Sequence, residues 1–285
     1  MVLSPIINVQ ELLAIRQQKE VKLFDVSSGK EAKNNFEKEH LEGARWVDLN
    51  TQLSTLSDNA AYGGRHPLPS LDKFASVLST LGVEAHDHIV VYDDKAGANA
   101  AARFWWMLRA IGVNQVQVLN GGFQHAKMAG FPLCSTLTTM TSDKKPMTLQ
   151  RWNLPMASIT EVEEVTNQQK GLIIDVRERA RYEGLHEPID VIAGHIPGAI
   201  NLPYTDNLDE NNLFLPPEVL KQKYQAVLSA NPSDKVIVHC GSGVTACHTI
   251  LAMAYAGLPI PRLYVGSWSE WSRNNKAIET TIPMK

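Results

Sequence analysis

The chain has 285 residues, 44% of them hydrophobic and 20% charged, with a formal net charge of -3. That length is long for one compact domain and comfortable for two, and the composition is that of a globular protein. No basic stripe suggests nucleic acid, no polybasic run suggests a membrane surface, and three cysteines are too few and too odd in number for a disulfide framework. The longest apolar run, 249–260, is broken by Gly257 and Pro259 and is too short to cross a bilayer. No signal peptide is evident at the start, and the cysteine usage fits a reducing compartment, so the expected location is cytoplasmic.

Hydrophobic periodicity predicts an amphipathic helix over 9–18 and a buried strand over 22–26. A loop-rich stretch follows, ending in the turn His40-Leu-Glu-Gly-Ala44 and a short strand. A helix over 70–81 leads to the apolar strand 89–93, then a long helix over 100–111 and a strand over 115–119. Residues 133–155 are rich in Thr and Ser with little periodicity and read as a linker. The same order then returns: helix 158–168, strand 172–176, turn, helix 217–228, strand 236–240, helix 245–256 and strand 262–265.

The recurrence is one of residues as well as elements. Phe24-Asp25-Val26 matches Ile174-Asp175-Val176, and His40-Leu-Glu-Gly-Ala44 matches His195-Ile-Pro-Gly-Ala199. Ile89-Val-Val-Tyr-Asp93 matches Val236-Ile-Val-His-Cys240, and Leu119-Asn-Gly-Gly-Phe123 matches Tyr264-Val-Gly-Ser-Trp268. The residue-number offsets are 150, 155, 147 and 145, so a whole domain is duplicated. The expected architecture is α/β: domains at 1–132 and 156–285 joined by 133–155, each a parallel sheet with helices on both faces. Ligands in such sheets bind beyond the carboxyl ends of strands, where Asp93 and Cys240 fall.

Cys240 opens the tight turn Cys240-Gly-Ser-Gly-Val-Thr245 between a β-branched strand and an apolar helix. Unpaired backbone N–H groups and the positive helix end favour an anionic sulfur there. A helix end alone contributes only about 0.3–1 kcal/mol, so several loop amides must converge, which Gly241 and Gly243 permit. Cys240 therefore reads as a nucleophile in an anion-binding loop. Cys247, inside the helix, reads as a packing residue, and Cys134 as an incidental thiol of the linker. His40 and His195 read as locks of their turns. Arg177 and Arg179 read as solvent or interdomain charges, and Trp46 and Trp268 as possible walls of a cleft. The spacing of Cys240, Cys247, His239 and His248 fits no usual zinc site, and no metal is expected.

With these residues in place, the chain resembles the tandem-domain sulfurtransferases of the rhodanese superfamily. Cys240-Gly-Ser-Gly-Val-Thr245-Ala matches the active loop of the 3-mercaptopyruvate group, supported by His195-Ile-Pro-Gly-Ala199 and Gly266-Ser-Trp-Ser-Glu-Trp271. The resemblance implies a ping-pong cycle: Cys240 takes a sulfur from a donor as a persulfide, and a thiol, thioredoxin or cyanide removes it. It implies no cofactor, no nucleic-acid or membrane partner, and a monomer. It makes the first copy catalytically silent, since Asp93 stands in the cysteine slot, and gives that copy half of an interdomain cleft. It sets His66, in Gly63-Gly-Arg-His-Pro-Leu-Pro69, beside Ser242 as catalytic partners. It gives Arg181, Gly241, Gly243, Val244, Thr245 and Asn50 to substrate binding.

Two positions depart from that pattern. An acidic residue is replaced by Asn50, and a second carboxylate-binding arginine by Ile189. Both leave a thiosulfate:cyanide sulfurtransferase open as an alternative, and a non-catalytic anion- or protein-binding chain as another. The neutral Gly241 and Ser242 argue for mercaptopyruvate, because thiosulfate-preferring relatives carry cationic side chains there. A cysteine phosphatase is disfavoured, since Ala246 stands where its phosphate-clamping arginine belongs.

Overall fold

A computed structural model describes residues 3–137, 146–229 and 231–281. Residues 138–145 of the expected linker lie outside them. The chain forms two compact units, one made of residues 1–55, 69–153 and 210–213, the other of 56–68, 154–209 and 214–285.

In chain order the first unit contains β1 (Ile6–Ile7), α1 (Val9–Ile15), β2 (Val21–Asp25), α2 (Ala32–Lys38), β3 (His40–Leu41) and β4 (Ala44–Trp46). It continues with α3 (Leu71–Thr80), β5 (His88–Tyr92), α4 (Ala101–Ala110), β6 (Val116–Leu119), α5 (Gly122–Met128) and β7 (Leu133–Cys134). Its sheet is parallel, in the order β1-β6-β5-β2-β4. Side chains alternate across each strand. Leu23 and Val90 therefore join a core with Leu12, Phe36 and Ala126 of α1, α2 and α5, while Phe24 meets Phe104 of α4.

The second unit contains β8 (Met156–Ala157), α6 (Ile159–Gln168), β9 (Leu172–Asp175), α7 (Arg179–Tyr182), β10 (Ile200–Asn201), α8 (Pro217–Leu228), β11 (Val236–His239), α9 (Ala246–Tyr255), β12 (Arg262–Tyr264) and α10 (Ser267–Trp271). Its sheet is also parallel, in the order β10-β9-β11-β12-β8. Read from the other edge, this is the strand order of the first unit, so the duplication holds for the topology. The helices end within a few residues of the predicted positions. Ser158 starts α6 with a capping box, its hydroxyl accepting from the Glu161 N–H.

The sequence reading misses both edge strands, β1 and β8, and the pairing of β7 with β3. Leu133 and Cys134, assigned to the linker, form an antiparallel ladder with Leu41 and His40 in the first unit. Cys134 is accordingly no incidental thiol: its sulfur lies 3.2 Å from His40 Nε2. Trp152 of the same stretch packs on Phe74, 5.4 Å between ring centroids.

Candidate active site

Cys240 sits one residue past β11 and is 3% exposed. The start of α10 clamps it. The Cys240 N–H donates to Ser267 Oγ at 3.2 Å, and its carbonyl accepts from Trp268 N at 3.0 Å. The Gly241 carbonyl accepts from Ser269 N at 2.8 Å. Gly243 has φ +72°, and a Cβ there would lie 2.4 Å from the Val265 carbonyl oxygen. Only glycine fits both the left-handed backbone and the space. With the loop so folded, the N–H groups of Gly241, Ser242, Val244 and Thr245 donate to no protein group among the described residues.

The first unit builds the matching loop differently. Asp93, fully buried, accepts N–H bonds from Lys95, Gly97, Asn99, Ala100 and Ala101 at 2.8–3.1 Å. Burial pushes its carboxyl up, and the amides of Ala101, Lys95 and Gly97 oppose that push. The loop that follows this strand gives its amides to its own carboxyl group.

Residues 56–68 belong to the second unit, which brings His66 to the cysteine loop. His66 Nδ1 lies 2.8 Å from Ser242 Oγ. The turn is fixed to α10: Gly63 N–H donates to Glu270 Oε1 at 2.7 Å, and Arg65 N–H to Ser269 Oγ at 3.1 Å. Gly64, at φ +79°, rests so near the Gly266 carbonyl oxygen that a Cβ would come within 2.4 Å of it.

Next to His66, Arg65 is a residue the sequence reading passed over. Its Nε and Nη2 donate to Asp190 Oδ1 and Oδ2 at 3.1 and 3.4 Å. Arg181 donates to Glu187 through Nε (3.2 Å) and Nη2 (2.7 Å), and its Nη2 lies 3.5 Å from Asp190. Arg273 adds a third bond to Asp190, at 2.9 Å. A Cβ on Gly241 would stand 3.0 Å from Arg65 Nη2 and 3.5 Å from Arg181 Nη2, so both guanidiniums border the cysteine loop. Burial works against the Glu187 carboxylate, but bonds from Arg181 and the Asp190 N–H hold it below the usual range. With Arg177, which also reaches Glu187 and is held by Asp175, four guanidiniums face three carboxylates, which leaves one net positive charge.

Behind the loop the ion cluster continues through Glu187, and it corrects the reading of Arg177 as a solvent or interdomain charge. Arg177 is 3% exposed and donates to Asp175 Oδ2 (2.6 Å), Glu187 Oε2 (3.2 Å) and the Gly194 carbonyl (2.7 Å). Its guanidinium stacks 4.6 Å above the Trp268 ring. Burial disfavours the charge, but Asp175, Glu187 and the Cys240 sulfur outweigh it and raise its proton affinity. Burial lowers His239 despite Asp175 at 3.7 Å, so this histidine stays neutral behind the cysteine. Trp268 is wholly buried and walls no open cleft.

Ser242 and Val244 are buried and Thr245 half-buried in the loop. Asn50 is exposed, in a first-unit turn held by Asp48, whose Oδ1 accepts from Thr51 N–H at 2.7 Å. Ile189 is 53% exposed, and it is its N–H that serves, donating to Glu187. Cys247 is buried, its thiol 3.4 Å from the Gly243 carbonyl. His40 and His195 lock their turns through Nδ1, each 2.7 Å from a carbonyl oxygen, of Phe36 and Tyr182. Among the described residues there is no group of His, Cys, Asp and Glu fit to hold a metal, and no helix long and apolar enough to cross a membrane.

Comparison with known proteins gives a consistent result. The family model described as "Rhodanese-like domain" matches residues 8–129 and again 158–274. A probable 3-mercaptopyruvate sulfurtransferase of Pseudomonas aeruginosa is 42% identical over 242 residues, 83% of this chain and 82% of that one. A thiosulfate sulfurtransferase of Cricetulus griseus is 33% identical over 85% of this chain and 80% of its own. The solved structure of 3-mercaptopyruvate sulfurtransferase from Leishmania major superimposes with a TM-score of 0.79 at 30% identity, over 94% of this chain and 74% of that one.

Proposed function

This chain belongs to the rhodanese-like family, and on that footing we propose that it is a sulfurtransferase taking sulfur from 3-mercaptopyruvate through Cys240. One observation carries the reading. The loop after β5 gives five N–H groups to its own Asp93, whereas four N–H groups of the loop after β11 have no protein acceptor among the described residues. Those donors suit an anion at Cys240: first the thiolate, then the persulfide it becomes.

In the first half-reaction the Cys240 thiolate attacks the donor sulfur. The donor's C–S bond breaks, its electron pair passes to carbon, and pyruvate leaves as the enolate. Ser242, paired with His66, delivers a proton to that enolate. In the second half-reaction an acceptor thiolate or cyanide attacks the outer sulfur and returns the Cys240 thiolate. Neither step calls for a metal, an organic cofactor or a second subunit, and a monomer in the cytoplasm remains part of the proposal.

Arg65 and Arg181 are the groups we assign to the donor carboxylate. They border Gly241, and the one net positive charge around them matches a monoanion better than dianionic thiosulfate. Arg65 thus takes the role that the departure at Ile189 left open. The first unit, with Asp93 in the cysteine position, is assigned no part in sulfur transfer.

The test is mass spectrometry of the intact protein after incubation with mercaptopyruvate. Wild type gains one sulfur atom at Cys240, and Cys240→Ala gains none and has no turnover with any donor. Undiminished turnover by Cys240→Ala would end the assignment.

A further inference from the structure

The two copies differ beside the first aspartate of each sheet. Asp175, at the end of β9, carries a buried guanidinium, that of Arg177 two residues later. Arg177 also meets the Trp268 ring and the Gly194 carbonyl. The offsets of the duplication pair Asp175 with Asp25, Arg177 with Ser27, Trp268 with Phe123 and Gly194 with Glu39. All four first-unit counterparts line a cavity of about 320 Å³. Serine stands where the second unit has the arginine, an aspartate and an aromatic ring stand at the matched positions, and space lies among them.

We propose that this first-unit cavity is a binding site for a small organic cation with a guanidinium head, seated on Asp25 where the second unit seats its own Arg177. Asp25 is 4% exposed, and its carboxylate accepts from the Ser27 N–H at 2.9 Å. It has no ion pair among the described residues. Phe36 and Phe123 supply aromatic walls, and Asp94 and Glu39 add negative charge. Lys38 and Lys127 also line the cavity. Lys127 is paired with Glu39 and lies 5.9 Å over the Phe123 ring. Their amines suit a ligand whose far end carries a carboxylate.

Titration of Asp25 agrees with the geometry. Burial pushes its carboxyl up to about 6, against bonds from Ser27 and Tyr92, and Asp93 adds to the rise. The titratable groups around it are thus Asp93 and Asp94 after β5, the neutral phenol of Tyr92 on β5, Lys38 and Glu39 at the end of α2 and Lys127 on α5. A bound cation would favour the ionised form, so binding must weaken as pH falls through 6. Between pH 7.5 and pH 5 the ionised fraction falls about ten-fold, and affinity with it.

Isothermal titration of the whole protein with methylguanidinium and with L-arginine tests the proposal. Saturable binding of one equivalent is expected at pH 7.5, about ten-fold weaker at pH 5. Asp25→Asn should weaken it ten-fold or more, and Ser27→Arg, which supplies the guanidinium from within, should abolish it. Tighter binding of L-arginine than methylguanidinium would assign the lysines to the carboxylate; equal affinity would remove them from the site. Absence of saturable binding to the wild type overturns the proposal. So does binding that survives both substitutions in variants whose circular dichroism is native.

Discussion

Replacing Arg65 by methionine tests the assignment of the donor carboxylate. Methionine keeps much of the apolar stem and removes the charge. The buried Asp190 keeps two partners, Arg273 at 2.9 Å and Arg181 at 3.5 Å, so no carboxylate is stranded and the fold should lose little. What disappears is one charge-assisted bond to substrate, of about 1.5–3 kcal/mol, or roughly a ten- to hundred-fold fall in kcat/KM for mercaptopyruvate. The loss should sit mainly in KM, since the carboxylate lies remote from the breaking C–S bond. The assay compares mercaptopyruvate with its carboxyl-free analogue 1-mercapto-2-propanone in wild type and Arg65→Met. The preference for the acid should collapse while the analogue is turned over almost unchanged. If both donors lose equally, Arg65 positions the His66 turn and binds no carboxylate. If neither loses, the site lies elsewhere.

Gly243→Ala places a side chain at φ +72° and within 2.4 Å of a carbonyl oxygen, which should cost about 2 kcal/mol or more and lower Tm by several degrees, read by calorimetry. Gly241→Arg combined with Ser242→Lys, the change that the sequence suggests would favour thiosulfate, drives a cation into the two guanidiniums beside Gly241. It should lower rates with both donors, and a gain with thiosulfate would show that those arginines yield readily. For Asp25 the folded carboxyl titrates near 6 and the unfolded one near 3.8, so the folded state holds more protons between these values and stability falls as pH rises across that window. Two pKa units set an upper bound of about 3 kcal/mol, and Asp25→Asn should flatten the dependence in urea melts at pH 4 and pH 7. A dependence of the same size in the variant would place its source in another group.

The duplication, the parallel sheets and the cysteine loop were legible because each leaves a local signature: apolar strands of four or five residues, helices with 3.6-residue periodicity, glycines at a strand-to-helix turn. The proximity of His66 to Ser242 was legible through resemblance alone, since 176 residues separate them and no periodicity links them. Arg65 shares that long-range geometry but lacks a family signature, and an arginine in a Gly- and Pro-rich turn reads as solvated. Arg177 was misread for a different reason. Hydropathy counts a lone arginine as surface, although Asp175 two residues before it stands where a strand end can bury the pair. The edge strands β1 and β8 have two residues each, too few for any alternation to register, and are defined by partners β6 and β12 more than a hundred residues away.

The two copies show how one fold can either leave its strand-end anion site available or fill it. After β5 the loop from 93 to 100 wraps a carboxylate that the chain itself provides. After β11 a shorter loop, 240 to 245, carries a sulfur, and the N–H groups of Gly241, Ser242, Val244 and Thr245 have no protein acceptor among the described residues. Asp93→Cys would not by itself convert the first copy into the second. The amides would be there, but Ser27 replaces Arg177, and with offsets of 150 to 155 the counterpart of Arg181 falls among Val26 to Glu31, which contains no arginine. The proposed reactivity at Cys240 therefore rests on two layers added to the fold: a cradle of N–H groups without a protein acceptor among the described residues, and a set of arginines held in place by Asp175, Glu187 and Asp190. Those three acids offset the repulsion among the guanidiniums and fix their directions, so removing Glu187 or Asp190, which hold the two arginines beside Gly241, should disturb donor binding before it disturbs the sulfur.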